Sequence, residues 1–185
     1  MDARIDSTGL LAEAHQRPSP NCDQRPSGTI IDLLVIHNIS LPPGEFGGPW
    51  IDQLFLNRLD PAAHPYFREI ADLRVSAHLL IRRSGELIQY VPLHLRAWHA
   101  GVSEFHGRSC CNDFSIGIEL EGTDRDPFED AQYLTLERLA RRLRTLYPEV
   151  TADRITGHSD IAPGRKTDPG PCFDWSRFHR ALKDE

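Results

Sequence analysis

The stretch TIIDLLVIH at 29–37 constrains the fold more than any other part of the chain. It is apolar and β-branched over most of its length, which reads as a buried strand. It ends at His37 and runs directly into SLPPGEFGGPW, a turn-rich loop. Two further strand-like runs, 76–83 and 86–91, are separated by Ser84-Gly85, a pair that fits a tight two-residue hairpin. Residues 114–121 alternate, with Ile116, Ile118 and Leu120 on one face and Ser115, Gly117, Glu119 and Glu121 on the other. Over 130–147, Leu136, Leu139, Ala140, Leu143, Leu146 and Tyr147 form an apolar helical stripe, and Pro148 follows its end. A short helix is expected within 50–59. Another follows Asp174, a capping residue, and carries Trp175, Phe178 and Leu182. Interleaved strands and helices with one hairpin predict an α/β fold of the α+β type, a mixed central sheet flanked by helices.

A chain of 185 residues supports one compact domain. We divide it into a polar lead-in at 1–28, rich in proline towards its end, and a domain at 29–185. The net charge of −6 lacks the basic excess of a general nucleic-acid binder. No apolar run approaches the roughly 20 residues of a membrane span, and the first residues lack the pattern of a signal peptide. These features lead us to expect a cytoplasmic protein with no nucleic-acid or membrane partner, and we take it to be a monomer. The four cysteines, Cys22, Cys110, Cys111 and Cys172, show no CxxC spacing, which argues against a thiolate zinc ribbon.

The chemistry concentrates in GHSDIAPGRKTDPGPCFDW at 157–175. So irregular a loop must be fixed by turns or by a bound ion. A hydrolytic zinc site needs three protein ligands and one open position. His37, His158 and Asp168 would supply nitrogen and oxygen donors of the right kind. Cys172 is a competing third ligand in the same loop. The spacing is not HExxH, so a strand end and a distant loop would have to converge. Glu119 and Glu121 share a strand face and are both candidates for a proton shuttle beside a metal. Lys166 is placed to offer positive charge to a developing oxyanion. His78 reads as a structural histidine, and His64, His94, His99 and His106 receive no role.

Six blocks then occur in a characteristic order: HNISLPPGEFGGPW, DPAAHPYF, RVSAHLLIRRSGELIQYVP, RAWHAGVS, CNDFSIGIELEGTD and GHSDIAPGRKTDPG. Together they resemble the 1,6-anhydro-N-acetylmuramyl-L-alanine amidases of bacterial cell-wall recycling, over roughly residues 19–175. The resemblance implies a fold shared with phage amidase lysozymes and peptidoglycan recognition proteins. It also implies one zinc ion held by His37, His158 and Asp168, with catalytic roles for Glu119 and Lys166. The reaction it implies is hydrolysis of the amide between the lactyl group of anhydro-muramic acid and L-alanine. Related phage and recognition-protein amidases use cysteine as the third ligand, but the KTDPG setting favours Asp168 over Cys172. Asn38, Arg74, Trp98 and Arg108 are candidates for gripping an anhydro-muramyl peptide: the indole offers a flat face to a sugar, and the arginines suit peptide carboxylates. The rivals are a non-catalytic muramyl-peptide binder, which would lack a ligand, and a secreted autolysin, which would need a signal peptide or wall-binding repeats.

Overall fold

The computed structural model describes residues 8–183; positions 1–7 of the lead-in and 184–185 lie outside the described residues. The strands are His15–Gln16 (β1), Cys22–Asp23 (β2), Leu33–Ile39 (β3), Leu79–Ile81 (β4), Leu87–Gln89 (β5), Arg96–Ala97 (β6), Glu104–Phe105 (β7), Arg108–Ser109 (β8), Ser115–Glu121 (β9) and Ile155–Gly157 (β10). The helices are Trp50–Phe55 (α1), Phe67–Ile70 (α2), Asp130–Leu146 (α3), His158–Ile161 (α4) and Trp175–Lys183 (α5). Six strands form the central sheet in the order β1-β5-β4-β9-β3-β10. Its β4, β9, β3 and β10 run parallel, β5 is antiparallel to β4, and β1 runs parallel to β5. This is the mixed sheet flanked by helices that the sequence pattern predicts.

Alternation along the strands decides what each face buries. Leu34 and Ile36 of β3 and Ile116, Ile118 and Leu120 of β9 meet Leu136, Leu139, Ala140 and Leu143 of α3, with Phe178 and Leu182 of α5 closing the same core. Helix α3 begins where Glu129 and Gln132 cap each other's backbone, and Asp174 accepts the Arg177 N–H at the start of α5 (2.8 Å). On the opposite face, Leu80, Ile88 and Tyr90 pack against Ile51, Leu54 and Phe55 of α1 and against Phe67, while Leu33 and Val35 pack against Phe105, Phe114 and Ile161. His37 and Glu119 project from this second face, at the C-terminal ends of the parallel strands.

Some local expectations need correction. The buried strand starts at Leu33, later than position 29, and Ile30 is exposed; Asp32 already bonds across to the Phe114 carbonyl. The β4–β5 hairpin does not turn on two residues. Arg82 N–H pairs with the Glu86 carbonyl and Gly85 closes back onto Arg82 with φ of 83°, so three residues, Arg83, Ser84 and Gly85, make the loop. Helix α1 lies inside the expected 50–59 and ends at Phe55, and Asn57 takes a left-handed conformation (φ 57°) just beyond it. The described part of the lead-in joins the sheet directly, because β1 pairs with β5 and Leu11 is fully buried in the larger core. Arg25 anchors it further by donating to the carbonyls of Asn112, Asp113, Leu93 and Ser115.

Candidate active site

Strand order brings the chemistry together. β10 lies beside β3 with Gly157 opposite Ile36, so His158, the next residue and the first of α4, emerges next to His37. On the other side of β3, His37 stands directly across from Glu119 of β9. The loop after α4 returns to the same place: Ser159 N–H bonds the Asp168 carbonyl (2.9 Å), and Pro169 packs over Gly157, where a Cβ would meet its ring at 2.8 Å. The Asp168–Pro169 peptide is cis.

Three donor atoms converge there. His37 Nδ1 lies 3.0 Å from His158 Nδ1 and 2.9 Å from Asp168 Oδ2, and His158 Nδ1 lies 3.1 Å from the same oxygen. Ligands at zinc's usual bond lengths in a tetrahedron sit about 3.3–3.5 Å apart, so these atoms need to spread by only a few tenths of an ångström to hold the ion. The outer nitrogens have partners of their own: His158 Nε2 donates to the Ala100 carbonyl (3.0 Å), and His37 Nε2 meets His99 Nδ1 (2.9 Å). Donation to a carbonyl protonates His158 at Nε2 and leaves Nδ1 as a lone pair facing the cluster. Two nitrogens and a carboxylate oxygen in such contact suit a divalent cation of borderline softness. Among the described residues, this trio is the one group of histidine, cysteine and acidic side chains arranged to hold a metal, and Cys172 is outside it.

Electrostatics agree with that use. Burial pushes His37 down to about 4, which keeps its ring neutral at pH 7, the form that offers a lone pair. Glu119 behaves in the opposite way: burial first, then the charge of Asp168, raise it well above an ordinary glutamate, with Lys166 opposing. Its Oε2 is buried without a hydrogen-bond partner. Glu121, the alternative shuttle, is fully engaged, since Oε1 accepts from Gly47 N–H (2.7 Å) and Arg82 (3.0 Å) and Oε2 from Arg83 N–H (3.1 Å). Of the two carboxylates on this strand face, Glu119 alone has an oxygen to spare.

A cleft of about 370 Å³ opens over the cluster and is lined by His37, Asn38, Trp98, His99, Glu119, His158, Lys166 and Asp168. Its far wall is apolar, built by Leu54, Phe55, Tyr66, Ile70, Leu73 and Val75. Asn38 is held by Asp124 (2.7 Å) and the Pro169 carbonyl (3.0 Å). Lys166 is exposed on the rim. Arg74 is exposed between the wall residues Leu73 and Val75, and its guanidinium rests on the Ala71 and Leu73 carbonyls. Arg108 is not brought to the cleft. It pairs with Asp32 (2.6 Å) and stacks on Phe114 (3.8 Å), at the entry to β3 and five residues, or roughly 16 Å of strand, before His37. His78 is satisfied inside the fold, accepting from Gly117 N–H (3.0 Å) and bonding the Leu95 carbonyl (3.1 Å).

Sequence reasoning gave His99 no role, yet it touches His37 from the cleft wall. One sign of it was available: Gly117 interrupts an apolar strand, and glycine there marks a close approach. A Cβ at 117 would stand 2.5 Å from the His99 ring. Gly117→Ala is therefore expected to displace that ring and to lower stability by about 1–3 kcal/mol, an overpacking cost read as a lower urea midpoint. An unchanged midpoint would mean the slot is not tight.

A buried His/His/Asp cluster with an unpartnered glutamate, at the strand ends of a mixed sheet, defines the class. The family profile described as N-acetylmuramoyl-L-alanine amidase matches residues 27–171, and the chain belongs to this amidase family. Within it, the chain is 64% identical over 174 residues to the 1,6-anhydro-N-acetylmuramyl-L-alanine amidase AmpD of Enterobacter cloacae, covering 94% of this chain and 92% of that protein. It is 62% identical to AmpD of Escherichia coli K12 over 177 residues, 96% of each. The crystal structure of a selenomethionine derivative of AmpD superposes with a TM-score of 0.93 at 61% identity, covering 97% of this chain and 99% of that one. AmiD from E. coli, solved with anhydro-N-acetylmuramic acid-L-Ala-D-γ-Glu-L-Lys, matches with a TM-score of 0.62 at 30% identity over 85% of this chain and 60% of its own. No helix among the described residues is long and apolar enough to cross a membrane.

Proposed function

We propose that this amidase hydrolyses the amide between the lactyl group of 1,6-anhydro-N-acetylmuramic acid and L-alanine of the stem peptide, using one zinc ion held by His37, His158 and Asp168. The observation that carries the reading is the convergence of those three donor atoms beside Glu119 Oε2, a buried oxygen with no partner. The substrate follows from the high identity to proteins named for that activity. We place the reaction in the cytoplasm, on soluble wall fragments and in a monomer, in keeping with the resemblance to the recycling amidases.

Zinc at this site would supply Lewis acidity to the scissile carbonyl and make a water acidic enough to attack near neutral pH. Glu119 is placed to take a proton from the attacking water and to deliver it to the leaving L-alanine nitrogen, a transfer that suits a carboxyl raised by burial. Lys166, on the cleft rim, contributes positive charge where the carbonyl oxygen becomes negative. The Trp98 indole offers its face to the sugar, and the Asn38 amide, already oriented by Asp124, presents its remaining polar capacity to the substrate. Arg74 stands at the rim for a stem-peptide carboxylate. Arg108, paired with Asp32, has no such part unless its loop moves.

Incubated with a defined anhydro-muramyl tripeptide, the protein is expected to release free tripeptide and intact anhydro-sugar, seen as two products by mass spectrometry. Cleavage of high-molecular-weight wall as fast as of the soluble fragment would contradict the recycling assignment.

A further inference from the structure

We propose that His99 is a positioning residue that fixes which nitrogen of His37 carries the proton, and that with the next residue, Ala100, it forms one clamp behind both metal-binding histidines. The proposal rests on the zinc reading above, but the proton arrangement exists in the chain without the metal.

The order of protons follows from an acceptor that cannot donate. The Ser115 hydroxyl lies 2.6 Å from the Cys111 carbonyl, so its hydrogen points there. The Ser115 oxygen, 3.1 Å from His99 Nε2, must then accept, which places a proton on His99 Nε2. In a neutral ring, Nδ1 of His99 is left as an acceptor, and it lies 2.9 Å from His37 Nε2. The acceptor at His99 Nδ1 thus favours a proton on His37 Nε2 over the competing acceptor Asp168 Oδ2, and this frees His37 Nδ1, the atom that faces His158 and Asp168, to bind a metal. The chain from the Cys111 carbonyl through Ser115 and His99 sets the metal-binding form of His37 before any ion arrives.

The same two residues serve the other histidine. The Ala100 carbonyl accepts from His158 Nε2. The Asn112 side-chain oxygen holds the backbone of both, accepting from His99 N–H (3.1 Å) and Ala100 N–H (2.8 Å). Gly117 opens the slot in β9 that the His99 ring occupies. Metal-ligating histidines usually lean on a carboxylate or a carbonyl. A neutral imidazole in that place orients His37 without adding negative charge beside Glu119 and Asp168, where a further carboxylate would raise the glutamate still more.

The experiment reads protons and zinc separately from activity. In 15N-labelled, metal-free full-length protein, imidazole 1H–15N correlation spectra are expected to show His37 and His99 both protonated on Nε2. Zinc affinity, measured by chelator competition, is expected to weaken about 10–100-fold in His99→Phe, the usual cost of losing such a partner. His99→Asn puts an acceptor oxygen near the place of Nδ1 and is expected to stay within about threefold of the parent. Ser115→Ala should mix the His99 tautomers and weaken zinc in the same direction but less. A purely packing role for His99 would instead make His99→Asn and His99→Phe fall together, in step with their melting temperatures. A His37 protonated on Nδ1 in the parent protein, or a folded His99→Phe that binds zinc as tightly as the parent, would overturn the proposal. Should His99→Phe not fold, the parent's tautomers and Ser115→Ala decide. A parent that shows the stated tautomers but binds no zinc would count against the metal reading and for the positioning of His37 by His99.

Discussion

Glu119→Gln is expected to reduce turnover of an anhydro-muramyl peptide by about 10²–10⁴-fold, the usual loss of a general base, while zinc content stays near one per chain. The substitution preserves shape while removing the carboxylate's charge and its ability to take a proton. It is a clean test because Glu119 makes no metal contact and one of its oxygens has no partner to lose. The residue is 9% exposed and stands across from His37 on the neighbouring strand, so a proton acceptor at this position lies beside the three donor atoms. Turnover within a few-fold of the parent would remove Glu119 from the mechanism. Loss of zinc in this variant would make it a ligand.

Asp168→Ala is expected to abolish hydrolysis and to empty the site, weakening zinc by more than the roughly 10–100-fold that loss of an outer partner costs. Cys172→Ser is expected to change neither property. Asp168 Oδ2 sits within 3.1 Å of both histidine nitrogens, whereas Cys172 is outside the cluster. The neighbouring Phe173 packs with Phe128, Tyr133 and Phe178 in the core beneath α3 and α5, which ties that part of the loop down away from the metal-binding trio. An oxygen donor also leaves zinc a stronger Lewis acid than a thiolate would. Metal analysis after dialysis reads the outcome. Cobalt substitution gives a second reading: a near-ultraviolet sulfur-to-cobalt band that disappears in Cys172→Ser would reverse the assignment.

Much of this protein was legible because local chemistry repeats with a fixed period. The apolar, β-branched run before His37 reads as a buried strand and the 3.6-residue stripe over Leu136 to Leu143 as a core-facing helix, and both are what the structure forms. The candidate donors were legible too, since few residue types suit a metal such as zinc and His158 and Asp168 fall in one Gly/Pro-rich stretch. Strands of two residues, such as β1, β2 and β6, were not legible, because two residues carry no period; their pairing is fixed by partners far along the chain. Arg108, which the structure pairs with Asp32 and does not bring to the cleft lining, shows a related limit. Residue type suits an arginine equally to a substrate carboxylate or to Asp32, and distance in space makes the choice.

The sequence by itself determined which side chains are available for the chemistry and which faces of the strands they occupy, because side-chain direction alternates with residue number. Only the tertiary structure decided which of them meet. Parallel pairing of β10 with β3 and of β3 with β9 aligns three strand ends, and that register, set by burial of both sheet faces, puts His158 and Glu119 on either side of His37. The same register occupies both oxygens of Glu121 and leaves one oxygen of Glu119 free, although the two residues are chemically identical and two positions apart.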